Sequence, residues 1–288
     1  MRAAPPDLSR PVLLAGPTAS GKSALALALA QEQGRVIINA DALQVYDMWQ
    51  ILSARPSVAE MADVPHYLYG CVGHGQEWSV GHWLRAVAAL LATHANPIIV
   101  GGTGLYFRAL TEGLVEITPI PPHIRAEADM RLAQAGAEAL ATDLDSATRA
   151  QIDLANPARV QRAWEVLCAT GKGLAEWQAQ TPPPLLPLSQ TTPYVLRPQV
   201  DWLNSRTDSR FASMMAQGAL AEASAALPHW QPRAPWARAI GAAELIAHLQ
   251  GHISLSQAVA DATLATRQYA KRQRTWFRNR MGAWQALL

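Results

Sequence analysis

GPTASGKSALALALA, residues 16–30, decides the fold. Gly16-Pro17-Thr18-Ala19-Ser20-Gly21-Lys22-Ser23 fits G-x-x-x-x-G-K-[ST] without a mismatch. The apolar run PVLLA (11–15) precedes it and reads as a buried strand, and SALALALAQEQG (23–34) follows as a helix stopped by glycine. Strand, glycine turn and helix in that order make a phosphate cradle. The glycines let backbone N–H groups converge on phosphate oxygens, and the helix N-terminus adds partial positive charge. Lys22 then pairs with the outer phosphate, and Ser23 can ligate Mg²⁺.

Working outward, VIINAD (36–41) is a second strand, and NPIIVGGTG (96–104) is a third that feeds a glycine turn and a helix from Leu105. The fold class is therefore α/β, a parallel sheet of the P-loop NTPase type with helices on both faces. Ligands of such sheets sit at the carboxyl ends of strands, which brings Gly16–Ser23, Asp41 and Gly101–Gly104 together. Read from the motif alone, Asp41 is the second acid of a nucleotide hydrolase and holds Mg²⁺ through water. A small-molecule kinase using ATP and an RNA-binding nucleotide switch both fit at this point.

From Pro119 the texture becomes helical, through PIPPHIRAEADMRLAQAGAEALATDL and PARVQRAWEVLCATGKGLAEWQ (157–178), until the proline-rich linker TPPPLLPLSQTTP (181–193), which cannot be helical. The domain reading is a core from 1–118 and 190–288 with a helical insertion at 119–189. YVLRP reads as the last strand, and 201–227 and 254–281 read as helices. With 288 residues, half of them apolar and 16% charged, the chain is folded despite its 20 prolines. A net charge of +2 announces no nucleic-acid partner, so the placement of basic residues must decide that point. Cys71 and Cys168 read as two reduced thiols, and no stretch reads as a secretion signal or a membrane span, so the expectation is a cytoplasmic monomer with no membrane partner.

Five blocks extend the reading: IINADALQVYDMWQILSARPS (37–57), VGGTGLYFRALTEGL (100–114), NPARVQRAWEVLCATGKGLAEWQ (156–178), RAIGAAELIAHLQG (238–251) and ATRQYAKRQRTWFRN (265–279). Together, in this order and at natural spacing, they resemble the tRNA dimethylallyltransferase (IPP transferase) family in its bacterial form. The resemblance implies that the cradle holds dimethylallyl diphosphate, whose diphosphate is the leaving group, and that the prenyl group goes to the N6 amine of the adenine 3′ to the anticodon. It implies a Mg²⁺ held by Ser23 and an arginine from Arg206 or Arg210, one helical turn apart, stabilising the departing diphosphate together with Lys22. Asp41 becomes the general base. Ala42, Leu43 and Gln44 line the flipped adenine, and Thr103 sits beside the transferred group.

The resemblance also assigns an RNA surface. Arg267, Lys271, Arg274 and Arg278 follow three- and four-residue steps and form one basic stripe on the last helix, interleaved with aromatics including Tyr269 and Trp276. Arg159, Gln161 and Arg162 begin the second inserted helix, where the family contacts the anticodon loop. This chain has Ala42 where serine is frequent, so a hydroxyl contact there is missing or dispensable, and Ala158 where glutamine is usual, which leaves one base contact of the family without its usual side chain.

Overall fold

The computed structural model describes residues 9–288. Its sheet is built from β1 (Val12–Ala15), β2 (Ile37–Asn39), β3 (His66–Tyr67), β4 (Ile98–Gly101), β5 (Thr192–Leu196) and β6 (Gln285–Leu287). The order is β3-β2-β4-β1-β5-β6, with every pairing parallel. β1, β2 and β4 are apolar nearly throughout because both faces are covered. Leu13, Ile38 and Ile99 point to one face, with Trp83, Phe107 and Phe277. Val12, Leu14, Ile37 and Ile98 point to the other, with Ala26 and Ala30.

The helices are α1 (Lys22–Gln33), α2 (Val58–Ala62), α3 (Val80–Leu91), α4 (Gly104–Glu112), α5 (Pro122–Ala141), α6 (Ser146–Gln151), α7 (Pro157–Thr170), α8 (Leu174–Ala179), α9 (Val200–Ala216), α10 (Ala219–Ala226), α11 (Ala242–Leu249) and α12 (Leu255–Arg280). α9 to α12 share a core of their own with Trp49 and Trp236, whose rings lie 5.9 Å apart. Trp49 donates its indole N–H to the Trp236 carbonyl, so the large ring is buried with its polar atom satisfied.

The chain divides into two compact units, one running to Thr111 and resuming at Leu185, the other Glu112–Pro184. The second unit is helical, with α5 and α7 packing Ile124, Ala128, Leu140, Val160, Ala163 and Trp164 together. α5 is kinked where Gly136 leaves helical geometry (φ 73°), and Asn156 caps the start of α7. The boundaries fall at 112 and 184 rather than at 119 and 189. At Gly113 (φ 93°) the ingoing chain meets the outgoing Pro182 carbonyl so closely that a Cβ has no room, and the two crossings close the unit there.

Three further details differ from the sequence reading. β5 is not the last strand, since β6 pairs beside it at the sheet edge. The stretch 201–227 is two helices, because Gly218 adopts φ 104° and begins a new one. Inside the proline linker, Leu188–Gln190 forms one 3₁₀ turn, short enough to need no α-helical register.

Candidate active site

The cradle follows directly from β1. Ala19 (φ 61°) and Gly21 (φ 87°) take left-handed backbone, turning the chain sharply before α1 starts at Lys22. The loop is tied from several sides. Gly16 N–H donates to the Gly101 carbonyl (3.3 Å), Lys22 Nζ to the Pro17 carbonyl (3.4 Å), and Arg206 Nε to the Ala19 carbonyl (3.0 Å). Thr18 N–H donates to Gln273 Oε1 at 2.8 Å. The Ser20 hydroxyl is buried without a hydrogen-bond partner, a polar group inside the cradle that a ligand oxygen would satisfy.

Asp41 is aimed by a second set of bonds. Buried Asn39 accepts from Asp41 N–H (2.8 Å) and donates to the Asp41 and Leu68 carbonyls, while Asp41 Oδ1 accepts from Leu43 N–H (3.0 Å). Trp83 Nε1 holds the Asn39 carbonyl at 2.7 Å. Thr103 stands just before α4 and turns its hydroxyl to the DALQ segment, where it accepts from Ala42 N–H at 2.9 Å, while its own N–H reaches the Ala40 carbonyl. Gly101 passes so close to the Ala40 backbone that no side chain fits there. The DALQ turn and the GGTG turn are thus one welded piece.

Gln44 donates both amide protons to the Ser53 and Ala54 carbonyls (3.0 and 2.8 Å), so its nitrogen serves the protein backbone. The same loop is caught further on by Glu222, whose carboxylate accepts from the N–H groups of Gln50, Ile51 and Leu52.

Thr18, Lys22, Asp41, Leu43, Gln44 and Arg210 line one narrow cleft of about 50 Å³, with Leu52, Phe211, Met214, Ile240 and Tyr269 as its apolar and aromatic walls. Loss of hydration lowers the Lys22 ammonium to about 8; Asp41 opposes that shift and Arg210 adds to it. Desolvation also pulls Arg210 down, with Arg206 adding and Asp41 opposing. Two cations, Lys22 and Arg210, face one carboxylate, an arrangement short of negative charge that an anion completes. A larger surface hollow lined by Arg10, Ala88, Leu91 and Ser189 lies at the opposite, amino end of β1 and holds none of these groups.

The predicted residues separate by place. The cradle, Asp41, Ala42, Leu43, Gln44, Thr103, Arg206 and Arg210 all belong to the first unit and gather at the carboxyl ends of β1, β2 and β4. Arg206 is engaged with Ala19 and stacked on Trp202 (4.8 Å), whereas Arg210 faces the cleft. On α12, Lys271 and Arg278 are exposed and Arg274 half-buried, but Arg267 is clasped in a two-pronged ion pair by Asp208 of α9. Trp276 lies against Gly104 and packs rather than offering its face. In the second unit, Arg159 is exposed, and Gln161 and Arg162 lean on buried Glu165 (3.2 and 3.7 Å). Sequence reasoning missed Asn39, Gln273 and Glu222. Among the described residues, no three His, Cys, Asp or Glu side chains cluster to hold a metal.

A phosphate loop after β1, an acid at the carboxyl end of β2 and a prepared cationic cleft define a P-loop enzyme of the phosphate-binding α/β class. The family model described as "IPP transferase" matches residues 44–280, and "Isopentenyl transferase" matches 10–69. A tRNA dimethylallyltransferase of Cereibacter sphaeroides is 66% identical over 281 residues, 97% of this chain and 90% of its own. The tRNA isopentenylpyrophosphate transferase of Bacillus halodurans superposes with TM-score 0.69 at 28% identity, over 97% of this chain and 89% of that one. A eukaryotic dimethylallyltransferase acting on tRNA shares the fold (TM-score 0.77, 24% identity, 96% and 73% of the two chains). The chain belongs to the IPP transferase family. The kinase alternative gains nothing from these matches.

Proposed function

We propose that the protein is a tRNA dimethylallyltransferase: it moves the dimethylallyl group of dimethylallyl diphosphate to the N6 amine of the adenine 3′ to the anticodon and releases diphosphate. The observation that carries this reading is the shared cleft, in which the cradle and Arg210 face Asp41 across an apolar-walled space. The amine nitrogen attacks C1 of the allyl group. The C1–O bond breaks, its electron pair leaves with the diphosphate, and the amine proton passes to the Asp41 carboxylate. Negative charge grows on the diphosphate as that bond lengthens, so Lys22, Arg210 and the loop N–H groups hold the transition state more tightly than the ground state.

Mg²⁺ fits this site as a substrate-borne ion. The Ser23 hydroxyl stands exposed at the head of α1, and hard oxygen donors from it and from the diphosphate suit that cation, which keeps several waters. When bound it supplies charge neutralisation on the leaving group. Asn39 and Thr103 keep Asp41 and the adjoining turn in place, and Ala42, Leu43 and Gln44 form the wall met by an extruded base. Lys271, Arg274 and Arg278, with Arg159, Gln161 and Arg162 of the helical unit, contact the tRNA backbone and anticodon loop. No described helix is long and apolar enough to cross a membrane. A cytoplasmic monomer is the working form.

Incubation with unmodified tRNA, labelled dimethylallyl diphosphate and Mg²⁺ tests the reading. Label recovered on one adenosine of the anticodon loop is the expected result; label absent from the RNA overturns it.

A further inference from the structure

The buried seam of α12 runs Ala258, Ala262, Thr266, Ala270, Gln273 and Phe277. Two of these are polar. Thr266 turns its hydroxyl back on the Ala262 carbonyl of its own helix. Gln273, only 6% exposed, reaches out instead. Its Oε1 accepts from Thr18 N–H in the cradle at 2.8 Å, and its Nε2 donates to the Gly102 carbonyl at 2.9 Å. Reversing the amide would set N–H against N–H and C=O against C=O, so the two partners fix its orientation.

Gly102 belongs to the turn welded to Asp41. A Cβ added to it would lie 3.0 Å from Asp41 Oδ2 and would run into the Gln273 amide, so the three groups are in immediate contact. One turn along α12, Trp276 covers Gly104. The outward positions of the same helix carry Lys271 and Arg278.

We propose that Gln273 is a positioning residue for the transfer: it sets the separation between the cradle holding the leaving group and the turn carrying Asp41, and ties both to the RNA-facing helix. This rests on the transferase reading above. Gln273 touches neither reactant, and with its Oε1 on Thr18 that loop N–H is committed to the protein. In-line displacement needs reacting atoms about 3–3.5 Å apart, and a misplacement near 1 Å costs on the order of 100-fold in rate. A residue that sets this spacing therefore acts on kcat rather than on substrate affinity.

The test compares Gln273→Leu, which loses both bonds, with Gln273→Glu, which keeps the acceptor for Thr18 but faces Gly102 with an oxygen. Wild-type protein is run alongside with labelled dimethylallyl diphosphate and unmodified tRNA. Both variants are expected to lower kcat at least about 10-fold while KM for each substrate stays within about 3-fold. A folded variant with kcat within 2-fold of wild type (about) overturns the proposal, as does a rise in KM with kcat unchanged. Wild-type protein that fails to label tRNA overturns the transferase reading instead. A measurement on wild type alone covers the case of poor folding: the Thr18 amide should exchange slowly with solvent in the absence of ligand, and fast exchange would contradict the bond on which the proposal stands.

Discussion

Lys22 shows how a single residue is prepared for an anion. Burial lowers its ammonium to about 8. Lys22 therefore begins to lose its charge near that pH, while the proposed diphosphate ligand is held by the charged form. Diphosphate binding is expected to be strongest below about 8 and to weaken as pH rises through it, tending toward tenfold per unit. KM for dimethylallyl diphosphate measured from neutral to alkaline pH should rise accordingly, and Lys22→Arg should flatten the rise because guanidinium stays protonated. The cradle, Asp41 and Lys22 were legible in the sequence because a motif fixes their order along the chain. Gln273 was not, since its partner Thr18 lies far away in sequence; Asn39 was not either, because its bond to Asp41 two residues on is matched by one to distant Leu68 that no local pattern records. A trace of Gln273 was present: it falls on the buried step 262, 266, 270, 273, 277, where a polar side chain must find a partner.

At the scale of elements, the GGTG turn between β4 and α4 tests the packing most sharply. Gly101→Ala pushes a methyl into the Ala40 backbone, which cannot step aside, whereas a Cβ at Gly282 meets nothing within 4 Å. Gly101→Ala should cost about 2 kcal/mol or more of unfolding free energy and Gly282→Ala well under about 1, read from denaturant midpoints. Glu222 gives a second element-scale prediction. It satisfies three backbone N–H groups of the loop at 50–52, so Glu222→Ala should destabilise by about 2 kcal/mol. The central strands and α1, α7 and α12 stand where apolar runs and glycine stops place them. β3 and β6 escaped notice because strands of two or three residues at a sheet edge have no room to show periodicity. The single helix read over 201–227 was broken by one glycine within a continuous alanine-rich run, a composition that favours helix on either side.

Across the whole molecule, a net charge of +2 must still recruit a polyanion, so binding depends on local stripes. Lys271→Ala and Arg278→Ala should each weaken tRNA binding across substrates and lower the slope of log affinity against log salt by about 1. Arg267→Ala should instead act mainly through the broken pair with Asp208, with a smaller change in that slope. The stripe was legible from helical spacing, but its division into free and committed arginines was not, because Asp208 sits on another helix. In the proposed reaction a cradle built for phosphate faces a carboxylate that takes a proton from an RNA amine. Single-turnover transfer from dimethylallyl diphosphate to bound tRNA by Asp41→Asn tests it most directly. The account predicts tRNA and diphosphate affinities within about 3-fold of wild type and a transfer rate at least about 100-fold lower; transfer within about 2-fold of wild type would contradict it.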